Sequence, residues 1–130
     1  MTEENKQTII EWILRLGLFG EFLGHGIFAL QLKPRFLEML TAVIGVTGST
    51  ATTLMYCIGT IDIIIAVLAL TYPFRLMLVY ASIWGFLTAL ARPIAGDPIW
   101  DFIERWANWA VPLALLLVKG WPKKWRKWFS

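Results

Sequence analysis

The stretch Ile9–Leu32, IIEWILRLGLFGEFLGHGIFALQL, decides how this chain must fold. It is apolar over a length that could cross a bilayer, which takes ~20 residues of helix. Lys33-Pro34-Arg35 closes it, and proline and charge together mark the exit. Yet its interior carries Glu21 and the chain's one histidine, His25, one helical turn apart. A charge at the centre of a bilayer costs ~2.5–3.5 kcal/mol even on lenient insertion scales. Such groups belong inside a bundle, where they hold helices together by hydrogen bonds or serve a ligand, a proton relay or an ion path.

The rest of the chain repeats the pattern. Of 130 residues 58% are hydrophobic and 16% charged, against about 25% charged in soluble domains. Three more apolar runs follow, at about 50–70, 74–91 and 101–119, each set off by breakers such as Gly45–Ser49, Tyr72-Pro73 and Arg92–Pro98. Between the first two runs, 36–44 is too short to span and carries Glu38, so it is expected to lie at the membrane surface. The expectation is one all-α transmembrane domain: a four-helix bundle with a short interfacial helix between helices 1 and 2.

Residues 120–130 form a basic tail. Trp121, Trp125 and Trp128 stand at i, i+4, i+7 with Lys123, Lys124, Arg126 and Lys127 between them, which predicts an amphipathic interfacial helix. Its density of positive charge places it in the cytoplasm, and an even number of spans then puts the N-terminus there too. The acidic first residues are unlike a signal peptide, so the first helix is read as retained. The net charge of +3 lies mostly in this tail, which points to a lipid surface rather than nucleic acid.

Depth counting gathers the polar residues. At ~1.5 Å rise per residue, His25 lies ~10 Å and Glu21 ~16 Å inward from Leu32, Asp62 ~18 Å inward from Thr50, and Asn108 ~10 Å inward from Asp101. Glu21 and Asp62 share one level, His25 and Asn108 another. Arg92, Glu104 and Asn108 are read as the mouth of a pocket. Asp97, Asp101 and Arg105, at spacings of four, read as a capped and salt-bridged helix start. Gly17, Gly20 and Gly24 occupy the other side of helix 1. Gly20–Gly24 fits GxxxG, and Gly59 stands near Asp62, so these glycines are the expected packing positions. Pro112, inside the fourth run, should bend it and free a carbonyl.

The glycine-rich polar end of helix 1, the surface helix, and the second run with Gly59-Thr-Ile-Asp62-Ile-Ile-Ile-Ala resemble the DoxX-like family of small bacterial membrane proteins. That family often has Gly-x-x-Glu where this chain has Gly59-x-x-Asp62. The resemblance implies a four-helix protein of the bacterial inner membrane with a quinone or redox role beside other membrane subunits. Three functions fit: a quinone- or small-ligand-binding subunit, with Glu21, His25 and Asp62 handling protons; a proton-coupled transporter or channel; and a non-catalytic accessory subunit using its tail and glycine face as contacts, including self-association. Haem is disfavoured, because a second axial histidine is missing. The lone Cys57 offers no disulfide or CxxC, no metal-ligand spacing is present, and no nucleophile–base motif supports a stand-alone enzyme.

Overall fold

The computed structural model describes residues 1–130. The chain is all-helical, with 82% of residues in helix and no strands. Its elements are α1 (Glu3–Leu30), α2 (Pro34–Ile44), α3 (Gly48–Thr71), α4 (Arg75–Ile94), α5 (Ile99–Ile103) and α6 (Ala107–Lys119), followed by a 3-10 turn at Trp125–Phe129. By length and composition α1, α3 and α4 are apolar enough to cross a membrane.

Local chemistry sets the boundaries. Helix α1 starts six residues before the apolar run because Thr2 caps it, its hydroxyl accepting from the Asn5 N–H at 3.1 Å, with Glu3 and Glu4 in the first turn. Pro34 opens α2 at a position where its missing N–H costs nothing, and Gly45, with φ 75°, ends it in the left-handed conformation. Helix α4 runs on through Arg92 and Pro93 to Ile94, three residues past the expected end.

The fourth segment differs from expectation. It is not one helix over 101–119. Helix α5 stops at Ile103, and Glu104–Trp106 form overwound turns in which the N–H groups of Arg105, Trp106 and Asn108 donate to carbonyls three residues back. Helix α6 then has 13 residues, so it is ~20 Å long. That alone is shorter than a ~30 Å hydrocarbon core. Pro112 frees the carbonyl four residues before it, Asn108, which lies against α4 at Gly85: a Cβ on Gly85 would stand 2.3 Å from the Asn108 oxygen. Ser82 donates to the next carbonyl, Trp109, at 2.8 Å. The proline-loosened turn is thus what lets α4 and α6 come together.

The helices run up and down. Helix α1 packs mainly on α3, and α4 on α6, while α6 also packs on α1. At one end the start of α1 meets the end of α6, where Gln7 donates to the Val118 carbonyl. At the other end α2 lies against α3 and α4. The core is one cluster about Leu18, Phe22, Leu78, Leu115 and Leu116. Around it the usual arrangement is inverted: the chain exposes more large hydrophobic side chains than it buries, among them Ile13, Leu16, Ile64, Val67 and Ile83. Contiguous apolar surface on that scale is rare on soluble monomers.

The close helix approach is not where GxxxG placed it. A Cβ on Gly59 would meet Leu30 at 2.9 Å and the Gly26 carbonyl at 3.0 Å; one on Gly26 would meet Ile63 at 2.8 Å. Gly26 and Gly59 therefore seat α1 on α3. Gly20 and Gly24 have open space before them, and Gly17 only an ordinary 3.8 Å contact with Val111. The reason is phase: Gly26 shares the buried stripe of Leu18, Phe22 and Ala29, which Gly20 and Gly24 do not.

The tail is also corrected. Gly120, with φ 94°, and Pro122 stop α6, so Trp121 lies outside any helix and no amphipathic α-helix forms over 120–130. The chain turns back instead. Trp121 packs edge-on against Trp128 with ring centroids 5.3 Å apart, and the tail is tied to the start of α4. Lys123, Lys124, Arg126 and Lys127 remain exposed beside Trp121 and Trp125.

Candidate functional site: a charged cavity beneath α2

A cavity of about 400 Å³ opens between α1, α2, α3 and α4. Small-molecule sites usually measure ~300–1,000 Å³. Eighteen residues line it and 14 are hydrophobic, so it suits an apolar body. Helix α2 forms its cover, contributing Phe36, Met39, Leu40, Val43 and Ile44 from its apolar side. The polar groups are few: His25 from α1, Asp62 from α3, and Thr88 and Arg92 from α4, with the Trp84 indole beside Asp62.

Asp62 and Arg92 are the charged residues the fold buries, at 2% and 8% exposure. They do not pair with each other, nor does either form any other ion pair. Asp62 Oδ1 and Arg92 Nε have no hydrogen-bond partner. Arg92 Nη1 reaches only the Met39 sulfur, 3.5 Å away and a weak acceptor. Native proteins satisfy nearly all buried polar atoms, so two such orphans facing one cavity are an exception that needs a reason. Gly26 and Gly59 supply the placement: their contact draws α1 onto α3 beside Asp62, whose Cβ lies 3.1 Å from a Gly26 Cβ position. His25 is held over α2 by an edge-on contact with Phe36, ring centroids 6.1 Å apart.

The six expected site residues therefore divide. His25, Asp62 and Arg92 line the cavity. Glu21 lies near Asp62, half-buried, but outside the lining. Glu104 is exposed and pairs with its neighbour Arg105 at 2.7 Å, so it is not part of a pocket mouth. Asn108 gives its carbonyl to the α4 contact and does not line the cavity. Arg15 does not pair with the buried carboxylates. It donates to the carbonyls of Ala69 and Leu70 and caps the end of α3. Arg105 donates to the Asp101 carbonyl at 2.8 Å, not to the Asp101 carboxylate.

Asp97 pairs with Arg35 on α2, and Arg35 also donates to the Ala95 carbonyl at 3.2 Å and to Glu38 at 2.9 Å. The bonds to Glu38 and Asp97 hold the Arg35 guanidinium above its ordinary range. This ties the cover to the loop after α4. The apolar positions of α2 could have been read as a cover from their spacing, and Thr88 stands with Arg92 toward the outer end of its helix by depth; Trp84 could not be read, because its only signal was a place on an apolar helix.

No protein-family model matches the chain, and no curated protein or solved structure is significantly similar to it. The functional reading therefore stands on the site.

Proposed function

We propose that this chain is a multi-pass protein of the bacterial inner membrane, DoxX-like in kind, that binds a quinone-class ligand in the cavity beneath α2. The observation that carries the reading is the pair of orphaned buried groups, Asp62 and Arg92, on facing helices of an apolar cavity of about 400 Å³. A quinone ring is an apolar body with oxygen acceptors at its ends. Arg92 can donate to one oxygen, and His25 and Asp62 lie where a ring hydroxyl or carbonyl would exchange a proton. Glu21, beside Asp62, extends that path into the bundle. Electrons for such a ligand would come from a partner subunit, as the DoxX-like resemblance implies.

The inverted distribution of apolar side chains supports insertion, with α1, α3 and α4 crossing and α5 to α6 completing a fourth crossing through the overwound turn. The exposed lysines and arginines of the tail support a cytoplasmic position for that end, with the α2 end toward the outer leaflet. Trp121 and Trp125 then lie at the inner headgroup level with Lys123 and Lys124.

The test is direct. Protein purified in mild detergent is extracted for quinones, and its melting is followed with added short-chain ubiquinone and menaquinone analogues. A retained quinone, or a melting temperature that rises with analogue concentration and stops rising in Asp62→Asn, is the expected result. Neither retention nor any shift would remove the reading.

A further inference from the structure

We infer that the ligand of this cavity is bound as an anion, with its charged oxygen on Arg92. The inference rests on the preceding reading that the cavity is the binding site, and it adds the charge of the headgroup.

A guanidinium keeps its proton under all ordinary conditions, so burial cannot neutralise it as it could a carboxylate or an amine. A buried charge has to be matched by an opposite charge and by acceptors for its N–H groups. Arg92 has neither. It is 8% exposed, lies within no ion-pair distance of a carboxylate, has an orphaned Nε, and touches a thioether with Nη1. The groups around it do not supply the balance. Asp97 and Asp101 are near, but Asp97 is engaged by Arg35, and Arg35 and Arg105 are near as well. His25 faces the same side, with Lys33 and Arg105 in its surroundings. Arg35 and Arg105 are themselves paired, with Glu38 and Asp97 and with Glu104, so the α2 end of the cavity holds one fixed, fork-shaped donor, Arg92, with no ion-pair partner.

The other end differs. Asp62 lies deeper in α3, unpaired with Arg92, among apolar residues and Trp84. The cavity so has an unpaired guanidinium under α2 and an acidic, hydrogen-bonding end at depth. A neutral carbonyl would accept a hydrogen bond from Arg92 but leave its charge uncompensated. An ionised oxygen meets both needs and makes the stronger, charge-assisted bond. The ligand class is an apolar monoanion: an ionised hydroxyquinone or a carboxylate on an apolar body.

Two matched probe pairs test this on the full chain in neutral detergent. One is a 2-hydroxy-3-alkyl-1,4-naphthoquinone, ionised at neutral pH, against its neutral 2-methoxy ether. The other is decanoate against decanamide. The expected result is a dissociation constant at least about tenfold lower for the anion in each pair. That preference disappears in Arg92→Met and survives in Arg92→Lys. Without probe, Arg92→Met melts no lower than the native protein, because it removes an uncompensated buried charge.

Equal binding of anion and neutral probe in both pairs overturns the inference, and so does anion preference that persists in Arg92→Met. A large loss of melting temperature in unliganded Arg92→Met overturns it too, since the guanidinium would then be a structural element. Naphthoquinones that bind without charge preference leave the quinone reading standing and remove the anion. Preference within the decanoate pair, with neither naphthoquinone bound, keeps the anion and removes the quinone.

Discussion

The two ends of this bundle use arginine in opposite ways. At the tail end each half-buried guanidinium is spent on carbonyls. Arg75 donates to Lys119 at 2.6 Å, Gly120 at 2.7 Å and the Ser130 main-chain oxygen at 2.9 Å, and Arg15 donates to Ala69 and Leu70. These are the free carbonyls that every helix leaves at its C-terminus, so the two arginines close α3 and α6 and pin the returning tail. At the α2 end Arg92 is more deeply buried and closes nothing. The same side chain is a structural plug where acceptors surround it and a waiting site where they do not. Burial alone does not separate the two uses; partner accounting does.

The largest expected effect falls at the plugged end. Arg75→Met removes a charge-assisted donor from several carbonyls at once and frees residues 120–130. Hydrogen bonds to charged groups contribute ~1.5–3 kcal/mol each in favourable cases, but they share one side chain here, so a total loss of ~3 kcal/mol is expected. Tyr72, whose hydroxyl donates to the Phe129 carbonyl, holds the same segment and would keep part of it in place. Limited proteolysis of the tail and the melting temperature in detergent check this. If Arg75→Met melted like the native protein while Arg92→Met unfolded, the comparison between the ends would be inverted.

Next comes the seam between α4 and α6. Gly85→Ala puts a Cβ 2.3 Å from a backbone oxygen, a contact no rotamer change relieves. Overpacking of this kind costs ~1–3 kcal/mol. Gly59→Ala should cost less, because its nearest obstacle at 2.9 Å is the Leu30 side chain, which can yield in part. A melting series of the two variants orders them, and a Gly85→Ala protein as stable as native would mean that α6 can slide away from α4.

The Arg35–Asp97 tie is weaker still. Arg35 is solvent-accessible, so exposed-pair behaviour applies: a small contribution that fades with salt. Asp97→Asn should leave melting nearly unchanged, yet loosen the cover over the cavity. Faster amide exchange confined to α2 is the expected signature, and unchanged exchange there would show that the apolar contacts of Phe36, Met39 and Leu40 hold the cover unaided.

What could be read beforehand follows the range of the forces involved. The three long helices and α2 were legible because length, apolar runs, prolines and glycines act locally. The expected 36–44 and 50–70 differ from Pro34–Ile44 and Gly48–Thr71 by two residues or fewer at each end. His25 and Asp62, which depth counting sets on neighbouring levels because rise per residue is fixed, line one cavity. Depth counting failed for Glu104 and Asn108, because depth gives the level of a residue but not the side of the helix it faces, and because the overwound turn at Glu104–Trp106 rotates everything before it. The tail failed for a different reason. Its tryptophan spacing suits an α-helix, but Gly120 and Pro122 interrupt it, and the partner that folds it back, Arg75, is 45 residues away from Gly120.

A small effect of opposite sign tests the glycines that the GxxxG spacing singled out. Gly20 and Gly24 meet nothing within 4 Å of an added Cβ and have ordinary helical backbone. Replacing a mid-helix glycine by alanine then gains the helix-propensity difference, ~0.5–1 kcal/mol, with no clash to offset it. Gly20→Ala and Gly24→Ala should each raise the melting temperature slightly, whereas Gly26→Ala, whose Cβ would stand 2.8 Å from Ile63, should lower it. The sign is the informative part. A loss of stability at Gly20 or Gly24 cannot come from any contact within this chain. It would mean that the GxxxG face is occupied in the protein tested, and a gain that appears only on dilution of the protein would identify the occupant as a second copy.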